Sequence, residues 1–182
     1  VVRSFAKHWA LRRDVDKGGA HRNFIDGLTI LPLHSRVGEW LPGLLVTPGY
    51  EICRAVAVLG DSDKKPIPKW VAKYSTDFLS YAQSSPTLEP SIAKDNEALV
   101  QAAFDSLNWE LGGEVTEKRI RKYFKKGLGK GKKAEFAVAL AGVISAADDC
   151  VIPSPIEQSL EFLWERRLAD RATAMPIHDE EE

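Results

Sequence analysis

Residues 134–147 read Ala-Glu-Phe-Ala-Val-Ala-Leu-Ala-Gly-Val-Ile-Ser-Ala-Ala, and this is the stretch that decides the fold. Glu135 is its only charged residue. A helix that is apolar nearly all round belongs in a protein interior. The run is also too short to cross a bilayer, which takes about 20 apolar residues. The stretch therefore predicts a central, buried helix in a mainly α fold.

Apolar residues at helical spacing indicate further helices on both sides of this stretch. The segment that begins at Ser154 has the clearest start, because Ser154 can cap it, Pro155 suits the first helical position and Glu157 completes a capping box. The spacing is most regular from Ile67 to Ala82. In all we expect a bundle of about six or seven helices, including 4–14, 50–59, 67–82, 95–109, 116–126, 134–147 and 154–168.

The segment 27–49 is too rich in proline and glycine for a long helix. Its short apolar runs predict either a minor β-hairpin near residues 28–47 or a loop that packs over the core. A long apolar loop can also be a contact surface for another chain. The residues expected at such a partner contact are Trp40, Leu44 and Leu45.

The chain divides at a proline-containing linker, residues 83–90. We expect an N-terminal helical half over 1–90, a C-terminal helical half over 91–172 and a disordered acidic tail over 173–182. Two acidic, proline-closed turns, near Asp61 and Asp148, lie 87 residues apart, an offset that is typical of an internal duplication as well as of ordinary helix capping.

The second of these turns resembles that of a known family. Residues 139–151 read Ala-Leu-Ala-Gly-Val-Ile-Ser-Ala-Ala-Asp-Asp-Cys-Val, and Glu157, Leu160 and Leu163 follow. This pattern resembles the helical hairpin of TerB-like tellurite-resistance proteins over about 25–30 residues around Ala139–Leu163. The resemblance implies an all-helical, internally duplicated fold with metal-binding acidic turns. This chain has Cys150 where the family favours glycine.

Composition narrows the class of protein. The chain has 182 residues, of which 44% are hydrophobic and 28% charged, so it is long and apolar enough to form a packed core. The longest apolar run predicts no membrane span, and the two cysteines, Cys53 and Cys150, form neither a disulfide framework nor a metal set. We expect a soluble, cytoplasmic protein.

Charge is strongly segregated along the sequence. Between Val115 and Lys133 there are nine basic residues and one acidic residue, a net charge of +8. The whole chain has 25 Lys and Arg against 26 Asp and Glu, so 16 basic and 25 acidic residues remain outside this segment. A local excess of this kind is the pattern expected of a site for phosphates or another polyanion.

The basic segment 115–133 predicts a short helix followed by a flexible loop. Thr116 can cap the helix, and Ile120, Tyr123 and Phe124 give it an inward face. With the preceding helix it forms a possible helix-turn-helix that contacts DNA or RNA. The expected binding residues are Lys118, Arg119, Arg121, Lys122, Lys125, Lys126, Lys130, Lys132 and Lys133. The alternative is a solvated helix face in an assembly or adaptor protein, one that self-associates or binds a protein partner.

The sequence contains little that supports catalysis, cofactor binding or metal binding. There is no nucleophile elbow, zinc-protease motif or dinucleotide fingerprint, so we expect no enzyme activity, no cofactor and no catalytic residues. The four histidines lack the spacing of a shared metal site, and the acidic turns are better explained by helix capping than by a cation. We therefore predict no metal.

Overall fold

The computed structural model describes residues 1–15, 18–32, 38–47, 52–62, 66–74, 77–85, 87–127 and 131–174. Over these ranges the chain is mainly helical, with a small two-stranded parallel sheet, which confirms the predicted fold class. No helix among the described residues is long and apolar enough to span a membrane. The α-helices are α1 (Val2–Arg13), α2 (Ala20–Asp26), α3 (Trp40–Leu45), α4 (Leu88–Asp95), α5 (Glu97–Ser106), α6 (Glu117–Lys126), α7 (Lys133–Ala146) and α8 (Ser154–Ala174). The strands are β1 (Val56–Asp61) and β2 (Leu79–Ser84), and a 3-10 helix spans Lys69–Lys73.

Helix α7 forms where the sequence predicts it but is buried on one side only. Phe136, Leu140 and Ile144 repeat every fourth residue and are buried, whereas Val138 is 75% exposed. The prediction of a central, buried helix is therefore confirmed for one side of α7 only. Alanine and glycine fill most of the remaining positions, and exposing such small side chains sacrifices little apolar area.

An aromatic cluster joins α5, α6 and α7. Phe104 of α5 has no exposed surface, and its ring centroid lies 4.9 Å from that of Tyr123, 6.3 Å from that of Phe124 and 5.1 Å from that of Phe136. Such pairs add to the stabilisation that burial provides. Phe104 therefore holds the basic helix α6 onto the rest of the core.

Helix α1 packs across α7 and α8 and makes specific polar contacts with the distant half of the chain. The Ser4 hydroxyl donates to the Ala141 carbonyl at 3.1 Å, and Nε2–H of buried His8 donates to the Ile144 carbonyl at 2.7 Å. Arg12 forms an ion pair with Asp149, and the Trp9 indole donates to Glu161 at 3.2 Å. These contacts fix the register of α1 on the core.

Helix α8 confirms the predicted C-terminal helix, although it begins without a capping box. It starts at Ser154 itself, and the N–H groups of Ile156 and Glu157 donate to the Pro153 carbonyl. The Glu157 carboxylate instead lies 3.4 Å from Arg13 of α1.

The most regular helical spacing of the sequence, residues 67–82, does not form an α-helix. The described part of this segment contains the 3-10 helix and most of β2, and the predicted helix 50–59 is replaced by β1. The two strands pair in parallel, with Val56 opposite Leu79. Helix α8 packs against both of them, and Trp70 of the 3-10 helix lies edge-on to Tyr81 at 5.8 Å.

A minor β element is present, but it is the parallel pair β1–β2 rather than a hairpin near residues 28–47. Residues 28–32 form no strand and residues 40–45 form α3.

The two turns of the proposed duplication lie in different structures, since β1 ends at Asp61 whereas α7 ends just before Asp148. Helix α8 continues to Ala174, and residues 175–182 of the predicted tail lie outside the described residues. Most of the predicted linker 83–90 is occupied by the end of β2 and the start of α4.

Candidate polyanion-binding surface

Helix α6 is defined by signals at both of its ends. The Thr116 hydroxyl accepts a hydrogen bond from the Arg119 N–H at 3.3 Å, as an N-cap does. Before it, Gly112 and Gly113 adopt φ values of 73° and 134°, a region that favours glycine. The predicted turn, cap and basic helix are therefore confirmed.

The core-facing side of α6 consists of Ile120, Tyr123 and Phe124, all of which are buried. Because an α-helix advances by about 100° per residue, the positions two removed from these face the opposite direction. Those positions are occupied by cations. One side of α6 is therefore fixed in the core while the other presents only Lys and Arg.

Five of the predicted binding residues are unpaired within the part of the chain that the structure describes. No ion pair there involves any of them, and four are exposed while the fifth, Arg121, is half-buried. They are Lys118, Arg121, Lys122, Lys125 and Lys126. We call these five residues the α6 cation face.

Three further predicted residues have partners in the structure. Arg119 donates to the Gly112 carbonyl and so braces the preceding turn. The Lys132 ammonium lies 5.0 Å from the centroid of the Trp109 ring, and Lys133 pairs with Glu89 at 2.9 Å. The ninth residue, Lys130, lies outside the described residues.

A shallow groove of about 680 Å³ runs along one side of α6. Lys118, Arg119 and Lys122 line it, together with Tyr123 and Glu110. Burial raises the pKa of Tyr123, so its phenol stays neutral. The groove widens the cationic surface and adds two hydroxyl groups to it, those of Thr116 and Tyr123.

The connection between α5 and α6 differs from that of a helix-turn-helix. It spans ten residues, 107–116, whereas the motif uses a turn of three or four residues. The two helices meet through Phe104 and its aromatic neighbours. The α6 cation face is therefore a candidate binding site because of its charge and not because of a major-groove geometry.

The predicted partner contact lies on α3, and two of its three residues point outward. Trp40 is 62% exposed and Leu44 is 55% exposed, one helical turn apart. Leu45 is half-buried, and its carbonyl accepts hydrogen bonds from the N–H groups of Ile52 and Cys53. Ile52 is itself exposed, so it extends the apolar surface.

The acidic turns act as capping and pairing groups. The Asp61 carboxylate accepts from the Leu88 N–H at the start of α4 at 3.2 Å, and Asp149 pairs with Arg12. Asp63 lies outside the described residues. Over the described ranges, no three His, Cys, Asp or Glu side chains group as metal ligands do, and both cysteines are free.

One buried polar cluster escaped sequence reasoning. Asp14 and His21 are each 3% exposed at the side chain and meet at 2.9 Å, and the His21 ring stacks on Trp164 at 4.1 Å. His21 looked like an ordinary histidine because its stacking partner lies 143 positions away. A local signal for this cluster was available. Asp14 precedes a Gly-Gly turn that leads into α2, and the N-cap of α2 is Gly19, which has no side chain that could cap the helix.

Comparison of the chain with family models, with curated proteins and with solved structures gives no significant match. The function must therefore be argued from the residues themselves.

Proposed function

We propose that this protein binds a nucleic acid, DNA or RNA, through the α6 cation face, and that it does so without catalysis. The observation that carries the proposal is the lack of ion-pair partners for these five cations within the described residues, in a chain whose net charge is only −1. Acidic residues outnumber basic ones elsewhere in the chain, so carboxylates are available in number. A one-sided row of unpaired cations suits the phosphate backbone.

The number of cations in the α6 cation face sets the salt dependence of binding that we expect. Five cations within ten residues can meet up to five phosphates, and each phosphate neutralised releases condensed counterions. For duplex DNA the logarithm of the binding constant should then fall with the logarithm of salt concentration with a slope of about −4 to −5.

The test is a salt titration of fluorescent duplex and single-stranded oligonucleotides with wild-type protein and a charge-reversal variant. Lys122→Glu, Lys125→Glu and Lys126→Glu together should reduce the affinity at low salt by more than tenfold and flatten the slope. Because Lys125 and Lys126 also stabilise the C-terminal end of α6 through the helix dipole, a triple Lys→Gln variant and a thermal melt should accompany it.

The matched control reverses three exposed lysines on other elements, Lys7→Glu, Lys69→Glu and Lys94→Glu. This variant has the same net charge as the first and keeps the α6 cation face. Its affinity should stay within a few-fold of wild type. Equal losses in the two variants, or a wild-type protein with no salt-dependent binding, would contradict the proposal.

A second candidate function is assembly with another protein or with a copy of this chain through α3. The exposure of Trp40 and Leu44 on one side of a short helix favours it, because large apolar side chains at that density are typical of contact surfaces. Trp40→Ala with Leu44→Ala should lower the assembled fraction measured by light scattering. Leu11→Ala with Val15→Ala, which shortens two exposed residues elsewhere, should leave it unchanged.

A further inference from the structure

Trp109 lies beside the groove that runs along α6. Its ring centroid is 6.2 Å from that of Tyr123, which lines the groove, and the two ring planes are tilted by 32°. The buried Phe104 ring packs edge-on against it, also at 6.2 Å. Trp109 itself is only half-buried. The core therefore holds this indole in place while part of it remains at the surface.

One face of the Trp109 ring is covered by a lysine. The Lys132 ammonium lies over the ring, 5.0 Å from its centroid. Because Lys132 is exposed, the face that it covers is turned towards solvent. A lysine side chain is flexible, and a cation–π contact at an exposed site is weak. A planar ligand can therefore displace the lysine and stack on the indole.

The surface around Trp109 differs in charge from the groove. A second hollow, of about 340 Å³, is lined by Trp109 together with the exposed side chains of Asp105 and Glu110. It adjoins the groove, since Glu110, Leu111 and Gly112 line both. Carboxylates repel phosphates but accept hydrogen bonds from the amino groups of bases. The tryptophan side of this surface therefore suits bases, whereas the lysine side suits a phosphate backbone.

We infer that the nucleic acid bound here is single-stranded, with an unpaired base stacked on Trp109 and the adjoining phosphates along α6. The inference rests on the proposed function of the α6 cation face and adds the residue that selects the single strand. In a duplex the bases stack on one another, so a base reaches the indole only after unpairing. A cationic groove beside an aromatic ring is the combination that binds single strands.

The first test compares three ligands on the wild-type protein by fluorescence anisotropy. They are a single-stranded oligonucleotide, its duplex, and an abasic strand of the same length that keeps the phosphates but lacks the bases. The single strand should bind at least fivefold more tightly than the abasic strand, which is about the contribution of one stacked base, and more tightly than the duplex.

The outcomes of this test separate the inference from the proposed function. If the abasic strand or the duplex binds as tightly as the single strand, phosphate contacts suffice, and the inference is overturned while the proposed function stands. If none of the three ligands binds, the proposed function fails and the inference fails with it.

The second test changes the indole and leaves every cation in place. Trp109→Leu should weaken binding of the single strand at least fivefold, leave the abasic strand within twofold and keep the salt slope. Trp109→Phe keeps an aromatic ring and should retain most of the preference for the single strand. The matched control is Trp40→Leu, which removes an exposed tryptophan from α3 and should change neither affinity.

Trp109 also packs against Phe104 and Tyr123, so a thermal melt of each variant accompanies the binding curves. An equal loss of affinity for the intact and the abasic strand in Trp109→Leu would assign the indole a purely structural role and overturn the inference. If Trp109→Leu is unfolded, the comparison of the three ligands on wild-type protein decides alone.

Discussion

Asp14 shows how one carboxylate can organise a turn and a helix. The N–H groups of His21 and Arg22, each at 2.9 Å, and the His21 ring donate to it. Helix α2 has only a glycine at its N-cap, so Asp14 takes the place of a capping side chain from outside the helix. Burial raises the pKa of Asp14, but these hydrogen bonds outweigh that effect and hold it at about 2.

This depressed pKa predicts a pH dependence of stability. Since the ordinary value is 3.8, the unfolded chain binds the proton more tightly than the folded protein does. The stabilisation from Asp14 is therefore complete above about pH 4 and is lost as the pH falls through about 2. Urea unfolding of wild type and Asp14→Asn between pH 2 and 6 should show a difference that shrinks towards low pH. A constant difference would contradict this assignment.

Phe104 is among the largest fully buried side chains of the described core. It is fully buried and contacts aromatic rings from α6 and α7. Phe104→Ala should lower the free energy of unfolding by about 3–5 kcal/mol, measured by urea denaturation. As a control, Val138→Ala removes apolar atoms from the exposed side of α7 and should change it by less than about 0.5 kcal/mol.

At the scale of the element, α6 depends on the cap that starts it. Thr116→Ala removes the hydroxyl that accepts from the Arg119 N–H and should cost about 1 kcal/mol of unfolding free energy. Thr116→Ser keeps that hydroxyl and should retain most of the stability. If α6 frays in the alanine variant, nucleic-acid affinity should also fall, although no cation has been removed. Equal stability of the two variants would show that the cap contributes nothing.

The elements also show what local sequence can and cannot predict. Helices α1, α5, α6, α7 and α8 were predictable because their turns, caps and apolar stripes lie within a few residues of each other. Residues 67–82 misled because their apolar spacing also fits a 3-10 helix followed by a strand. What selects the strand is pairing of Leu79 with Val56, 23 positions away, and no local pattern contains that information.

The same limit applied to the candidate site. The charge, cap and inward face of α6 could be predicted because each belongs to the helix itself. The pairing of Lys133 with Glu89 and the position of Lys132 over Trp109 could not, because they depend on how α4, α5 and α7 pack together. Sequence therefore overestimated the number of available cations.

At the scale of the whole molecule, charge and shape divide the surface into separate regions. The α6 cation face and the apolar surface of α3 belong to different elements. Nucleic-acid binding and self-association should therefore be separable by mutation. Trp40→Ala with Leu44→Ala should weaken any self-association through α3 while the protein keeps its intrinsic affinity for a short oligonucleotide, as fluorescence anisotropy would show. A parallel loss of both would contradict this separation.

The contacts of α1 also bear on how the chain is made. Ser4, His8 and Trp9 find their partners 137, 136 and 152 positions later. At ribosomal speeds of about 5–20 residues per second, those partners emerge on the order of ten seconds or more after α1 does. During that interval Phe5 and Trp9, which are fully buried at the end, lack the contacts that α7 and α8 supply. A chaperone that covers α1 until α7 and α8 have been synthesised would protect these two side chains from aggregation.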